Sequence, residues 1–313
     1  MRPAFSVVFL TTLIGAGQGL FLALYCAELA GALQLISMPD GKIFFAVGSL
    51  ISLVLSGLGL GASFLHLGHP ERAWRAAAMW RTSWLSREVI VLPAFMALVA
   101  LYGIGHYLNW SVTLAVGAAA TVVCLALFAC TGMIYACIKF LQEWASPLTL
   151  VNYLLLGCAS GFTLAAAFAA FAADNLLKAY AIGALGLTLL GLLTRSASLV
   201  RNSRIKPRSS LQTAIGIRHP RIQQKSQGFM GGSFNTREFF HGRSRTFLRS
   251  VKWLFLAFAF AVPLILLVSG ILITSAALLC AAFVVQYAGL IAERWFFFAQ
   301  ANHPQNLYYQ AIS

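Results

Sequence analysis

Acidic residues are scarce in this chain. Asp and Glu number 8 in 313 residues, against 22 Lys and Arg, and charged residues make up only 10%. Mean hydropathy is +0.81. That balance excludes an ordinary soluble domain. Strict alternation of apolar and polar residues is missing, which argues against an outer-membrane barrel. No CxxC pair occurs. Cys26, Cys124, Cys130, Cys137, Cys158 and Cys280 all sit in apolar runs and read as small buried hydrophobes, not as disulfide or metal ligands. Motifs for iron–sulfur ligation are missing too. The histidines are His66, His69, His106, His219, His241 and His303, none in the middle of an apolar run, so a bis-histidine haem is not expected. Met1–Arg2–Pro3 leads into a long apolar run with no small-residue cleavage site, so the first helix is expected to be retained. No internal repeat marks a transporter built from inverted halves.

Hydrocarbon is what the chain has in abundance. Hydrophobic residues are 60% of it, in runs of about twenty residues or more, enough to cross a ~30 Å apolar core as helices. The expected fold class is all-α, a polytopic membrane bundle of eight spans. These fall near 5–35, 43–65, 88–108, 111–138, 148–173, 176–199, 251–273 and 275–299. Turn chemistry marks the joints at Ser37–Gly41, Asn109, Ser146–Pro147 and Asp174–Asn175. Three segments follow: helices one to six in 1–200, a basic loop in 201–250, and helices seven and eight with a tail in 251–313.

Charge gives the orientation. With eight spans, every Lys and Arg except Lys42 and Lys178 falls on one side. The positive-inside rule makes that side cytoplasmic, with both termini and the 201–250 loop. A pI near 10 is explained the same way, without nucleic acid.

Two stretches carry possible chemistry. The first runs from His66-Leu-Gly-His-Pro-Glu-Arg-Ala-Trp74 to Trp84-Leu-Ser-Arg-Glu88. Pro70 suits a first helical turn, so 70–85 reads as an interfacial helix with Trp74, Trp80 and Trp84 at headgroup level. His66 and Glu88 then lie on one membrane face, where imidazole can bond a quinone carbonyl and a partly desolvated carboxylate can pass a proton. The plainer reading makes His66 and Arg72 interface anchors and pairs Glu88 with Arg87. Near the C-terminus, Glu293 and Arg294 read as a neutralised pair before an aromatic belt; the alternative has Arg294 lining the same cavity. Glu28 is expected near the outer interface, and Gln18 between helices.

The second stretch is the basic loop. Arg195, Arg201, Arg204, Lys206, Arg208, Arg218, Arg221, Lys225, Arg237, Arg243, Arg245, Arg249 and Lys252 face a single acid, Glu238. Five phenylalanines occur from Phe229 to Phe247. Lipid headgroups are one partner for such a segment. A soluble protein is the preferred one, with Arg218, Arg221, Lys225, Phe229, Phe234, Arg237, Phe239, Phe240 and His241 as docking residues.

His66-Leu-Gly-x-Pro-x-Arg-Ala-aromatic and Leu85-Ser-x-Glu88 resemble the membrane-anchor family of dimethyl sulfoxide reductase, and the likeness extends over most of the chain as eight spans. Arg294 followed by aromatics is similar to that family's C-terminal pattern, though Glu293 is spaced differently. The Gly228-to-Phe240 insertion looks like the branch found in sulfite-oxidising complexes. The resemblance implies a non-catalytic anchor in the bacterial inner membrane. It would hold a molybdopterin catalytic subunit and an iron–sulfur subunit, bind ubiquinone or menaquinone, and carry no haem and no cluster itself. It implies quinone roles for His66 and Glu88. Arg72, Arg87, Trp84, His69 and Arg294 complete the expected quinone-binding and proton-relay set, with Arg72 or Arg87 facing the charge of a reduced quinone. His69 replaces a small residue of the familiar motif. Cytoplasmic docking favours sulfite oxidation with quinone reduction. Quinol oxidation by a sulfoxide-type reductase is the alternative, and a transporter or assembly protein is the alternative of another class.

Overall fold

The computed structural model describes residues 1–37, 42–65, 67–223 and 241–304. Among them it contains no strand, and eight helices are long and apolar enough to cross a membrane. They are α1 (Phe5–Ala32), α2 (Lys42–Phe64), α3 (Trp84–Tyr107), α4 (Thr113–Ala136), α5 (Pro147–Ala172), α6 (Asp174–Ser203), α7 (Arg245–Leu272) and α8 (Ala276–Ala299). At 1.5 Å per residue, α6 is about 45 Å long, so it tilts or protrudes from a ~30 Å core. Its last turn continues past 199, and α7 begins before 251. Arg201, Arg245 and Arg249 are therefore helical residues and not loop.

Serine hydroxyls start several helices. Ser83 accepts from the Ser86 amide, Ser146 from Leu148, Ser244 from Phe247 and Ser275 from Leu278, each satisfying a backbone donor the first turn leaves free. Between α2 and α3 the chain forms a 3₁₀ helix, Pro70–Met79. The interfacial helix expected over 70–85 is thus shorter, and Trp84 belongs to α3. Trp74 and Trp80 remain well exposed, as side chains at headgroup level would be.

α1 is the most enclosed span, packing against α2, α4, α5 and α8. Its contact with α5 depends on glycine. A Cβ on Gly161 would lie 2.1 Å from the Gly19 carbonyl carbon, so only hydrogen fits between the two backbones. In α7, residues Ala257–Ala261 form a turn of π-helix just before Pro263. Pro263 has no amide hydrogen to give to the Ala259 carbonyl four residues earlier, and its ring crowds that carbonyl. Gln286 of α8 reaches toward it at 3.5 Å while donating to Thr188 of α6 at 3.0 Å.

Met1 and the residues that follow α8 share the end of the bundle that carries the basic connections. The Met1 ammonium donates to the Ala301 carbonyl (2.8 Å) and Asn302 donates to Glu143 (2.9 Å). Arg201 donates to the carbonyls of Gln142 and Ala145 at 3.1 and 3.2 Å, anchoring the root of the basic loop.

Candidate functional site

The site forms where α1, α3, α4, α5 and α8 converge below that end. Glu88, one turn into α3, is 8% exposed. It does not pair with Arg87. Thr131 of α4 donates to its carboxylate. Arg87 instead donates to the carbonyls of Trp80 (2.9 Å) and Arg81 (2.8 Å) and lies 4.2 Å from the Trp84 ring, so it braces the start of α3. Gln18 does bridge helices, donating to the Cys124 carbonyl at 3.0 Å.

A cavity of about 30 Å³ opens beside Glu88, with room for roughly two waters. Thr11, Gln18, Thr131, Tyr153 and Arg294 contribute its polar wall, and Leu10, Ile14, Phe128, Leu156 and Leu290 its apolar wall. Glu88 and Arg294, 206 positions apart in sequence, thus meet at one buried space. Arg294 is held by rings: its guanidinium lies 4.2 Å from the centre of Tyr153 and 4.9 Å from Phe297. Trp144 stacks on Phe297 and donates to its carbonyl (2.9 Å).

Glu293 and Arg294 are not a neutral pair. Arg195, counted with the basic loop in the sequence, is 2% exposed inside the bundle. Its Nε lies 2.6 Å from Glu293 Oε1, and Arg294 Nε lies 2.5 Å from Oε2. Two buried guanidiniums therefore share one carboxylate. Arg195 Nη2 and Arg294 Nη1 are buried with no hydrogen-bond partner among the described residues. A second cavity of about 10 Å³ lies beyond the triad, lined by Arg195, Arg294, Asn152, Ser198, Thr149 and Glu143 among others. Arg294 is common to both linings.

Other expected residues lie elsewhere. His69 and Arg72 are exposed and flank Glu71, at 3.0 and 3.7 Å, away from the cavity lining. His66 falls outside the described residues, as do Lys225, Phe229, Phe234, Arg237, Phe239 and Phe240. Arg218 and Arg221 are exposed. At His241, burial and then nearby positive charge, Arg243 included, hold the imidazole below its usual range. At the opposite end of the bundle, Glu28 accepts from Thr113 at 2.7 Å and lies 3.3 Å from His106 Nε2, joining α1, α3 and α4. Sequence reasoning missed Arg195, Thr131, Tyr153 and Asn152. An acid inside an apolar helix was the available signal, since Glu293 requires a buried cation.

Fold and site together define a polytopic helical membrane protein with a buried charged cavity beneath its basic face. The chain belongs to the DMSO reductase anchor subunit (DmsC) family, whose model matches residues 1–300. It is also 54% identical to a sulfite dehydrogenase subunit from Allochromatium vinosum, over 100% of both chains.

Proposed function

We propose that this chain is the quinone-reactive anchor of a sulfite-oxidising complex, accepting electrons from an iron–sulfur subunit docked on its basic face. The observation that carries the quinone reading is the meeting of Glu88 and Arg294 in one buried cavity. Arg294 lines this cavity together with Glu88, and its guanidinium N–H groups suit a carbonyl oxygen. Apolar side chains opposite suit a ring. The ring itself exceeds the ~30 Å³ space, so these residues would hold its carbonyl edge.

The quinone supplies an acceptor for two electrons and two protons. Glu88 holds and delivers protons, and Thr131 orients its carboxylate. Arg294 would set a fixed positive charge beside the quinone oxygen. That role passes to Arg294 from Arg72 and Arg87, which are respectively exposed and already engaged. His66 remains a candidate by its motif alone. Sulfite as the source of electrons is supported by the 54% identical relative, and a cytoplasmic docking face by the distribution of Lys and Arg.

The test is the purified complex assayed with two acceptors. Glu88→Gln should lower sulfite:quinone activity at least tenfold and leave sulfite:dye activity unchanged. Equal rates for variant and parent with quinone would remove Glu88 from the mechanism, and a complex inactive on sulfite with any acceptor would remove the substrate assignment.

A further inference from the structure

We propose that the second cavity, between α5, α6 and α8, binds one halide-sized monovalent anion held by Arg195 and Arg294. This does not rest on the quinone reading.

Charge is the starting point. Arg195 and Arg294 contribute two positive charges and Glu293 one negative, so the triad carries one surplus positive charge. All three side chains are at most 5% exposed. Arginine does not shed its proton in proteins, so the surplus is not relieved by titration. An uncompensated buried cation is strongly unfavourable, and an anion beside it removes the penalty.

Donors are the second observation. Arg195 Nη2 and Arg294 Nη1 are buried without partners among the described residues, and both arginines line this cavity. The remaining wall is polar and fixed in place. Asn152 donates to Ser198 at 2.8 Å and accepts from Thr194 at 2.8 Å, while Thr149 donates to the Trp144 carbonyl at 2.7 Å. With the Thr149 and Ser198 hydroxyls donating to carbonyls, the two guanidiniums supply the donors to the ion.

Size and charge select the ligand. About 10 Å³ holds roughly one water-sized particle, which excludes sulfate, phosphate and other polyatomic anions. A single negative charge brings the triad to neutrality. Cations are repelled, which also argues against this cavity as a proton inlet. Glu143 is the internal rival, since it lines the same cavity, but Arg201 lines it too and offsets that charge, leaving the surplus of the triad.

The experiment is equilibrium dialysis of the detergent-solubilised complex, exchanged into chloride-free gluconate buffer, against radiolabelled chloride. The expected result is one saturable equivalent per chain, displaced by bromide and not by sulfate. Arg195→Gln should weaken binding at least tenfold, while Lys178→Gln, exposed at the other end of α6, should match the parent. If Arg195→Gln does not fold, Asn152→Leu serves, since it keeps all three charges and alters the wall; it should weaken binding severalfold. Absence of saturable chloride binding in the parent would overturn the proposal. So would binding indifferent to both substitutions, or binding that appears only in Glu143→Gln, where the protein's own carboxylate would have filled the role.

Discussion

Glu293→Gln should be far more damaging than Arg195→Gln, although both remove one charge from the same triad. Glu293 is fully buried and contacts both guanidiniums, at 2.6 and 2.5 Å. Neutralising it leaves two cations facing each other with no carboxylate between them. Removing one member of a buried ionic group typically costs about 3–5 kcal/mol, because the charge left behind is desolvated and unpaired. Arg195→Gln does the reverse, leaving a one-to-one pair of Glu293 and Arg294, and should cost about 1–2 kcal/mol. In the double variant one cation remains where Glu293→Gln left two, so it should recover part of the loss, with a coupling of about 1–3 kcal/mol. The assay is thermal unfolding of purified chain in one detergent, followed by loss of monodispersity at fixed chloride. Glu293→Gln should lower the midpoint by on the order of ten degrees, and Arg195→Gln by a few. A midpoint for Glu293→Gln equal to the parent's, or a double variant worse than Glu293→Gln alone, would refute the argument from shared charge.

Thr131→Val keeps shape and deletes the hydroxyl that donates to Glu88; sulfite:quinone turnover should fall roughly tenfold with dye turnover intact. Gly161→Ala places a methyl 2.1 Å from the Gly19 backbone, so the yield of monodisperse protein should collapse, whereas Gly186→Ala, with open space around its Cβ position, should purify normally. Reporter fusions after Ser203 and after Leu108 should report opposite sides of the membrane, the first cytoplasmic; the reverse assignment would remove the proposed docking face.

Span number and order were legible because the bilayer imposes them. Eight apolar runs of sufficient length leave few other folds, and the boundaries erred where charge and helix overlap. Arg201 and Arg245 look like loop residues because they are charged, yet both lie in helices whose ends emerge from the apolar core. Arg195 was placed in the sixth span, but counting it with the basic run hid its buried partner. In sequence it opens a basic run; in the fold its stem and head are enclosed between α5, α7 and α8, with Phe255 5.5 Å from its guanidinium. Glu88 stood out from its motif, but its partner Thr131 did not, since a threonine in an apolar helix is common. That Glu88 and Arg294 share a cavity depends on how α3 and α8 pack around α1, and helix order alone does not determine that packing.

The contact between Met1 and Ala301 spans 300 positions and bears on biosynthesis. α1 leaves the ribosome well before α8, yet it is the most enclosed span of the finished bundle and packs against α8. At about 5–20 residues per second, α1 waits roughly 15–60 s for α8. During that interval Gln18 and Glu28 sit in or near lipid before their acceptor and donor, the Cys124 carbonyl and the Thr113 hydroxyl, arrive on α4. A ribosome stalled after α6 would release a chain that lacks the carboxylate of Glu293, leaving Arg195 as a lone intramembrane cation. Such a chain carries an intramembrane charge that only α8 offsets.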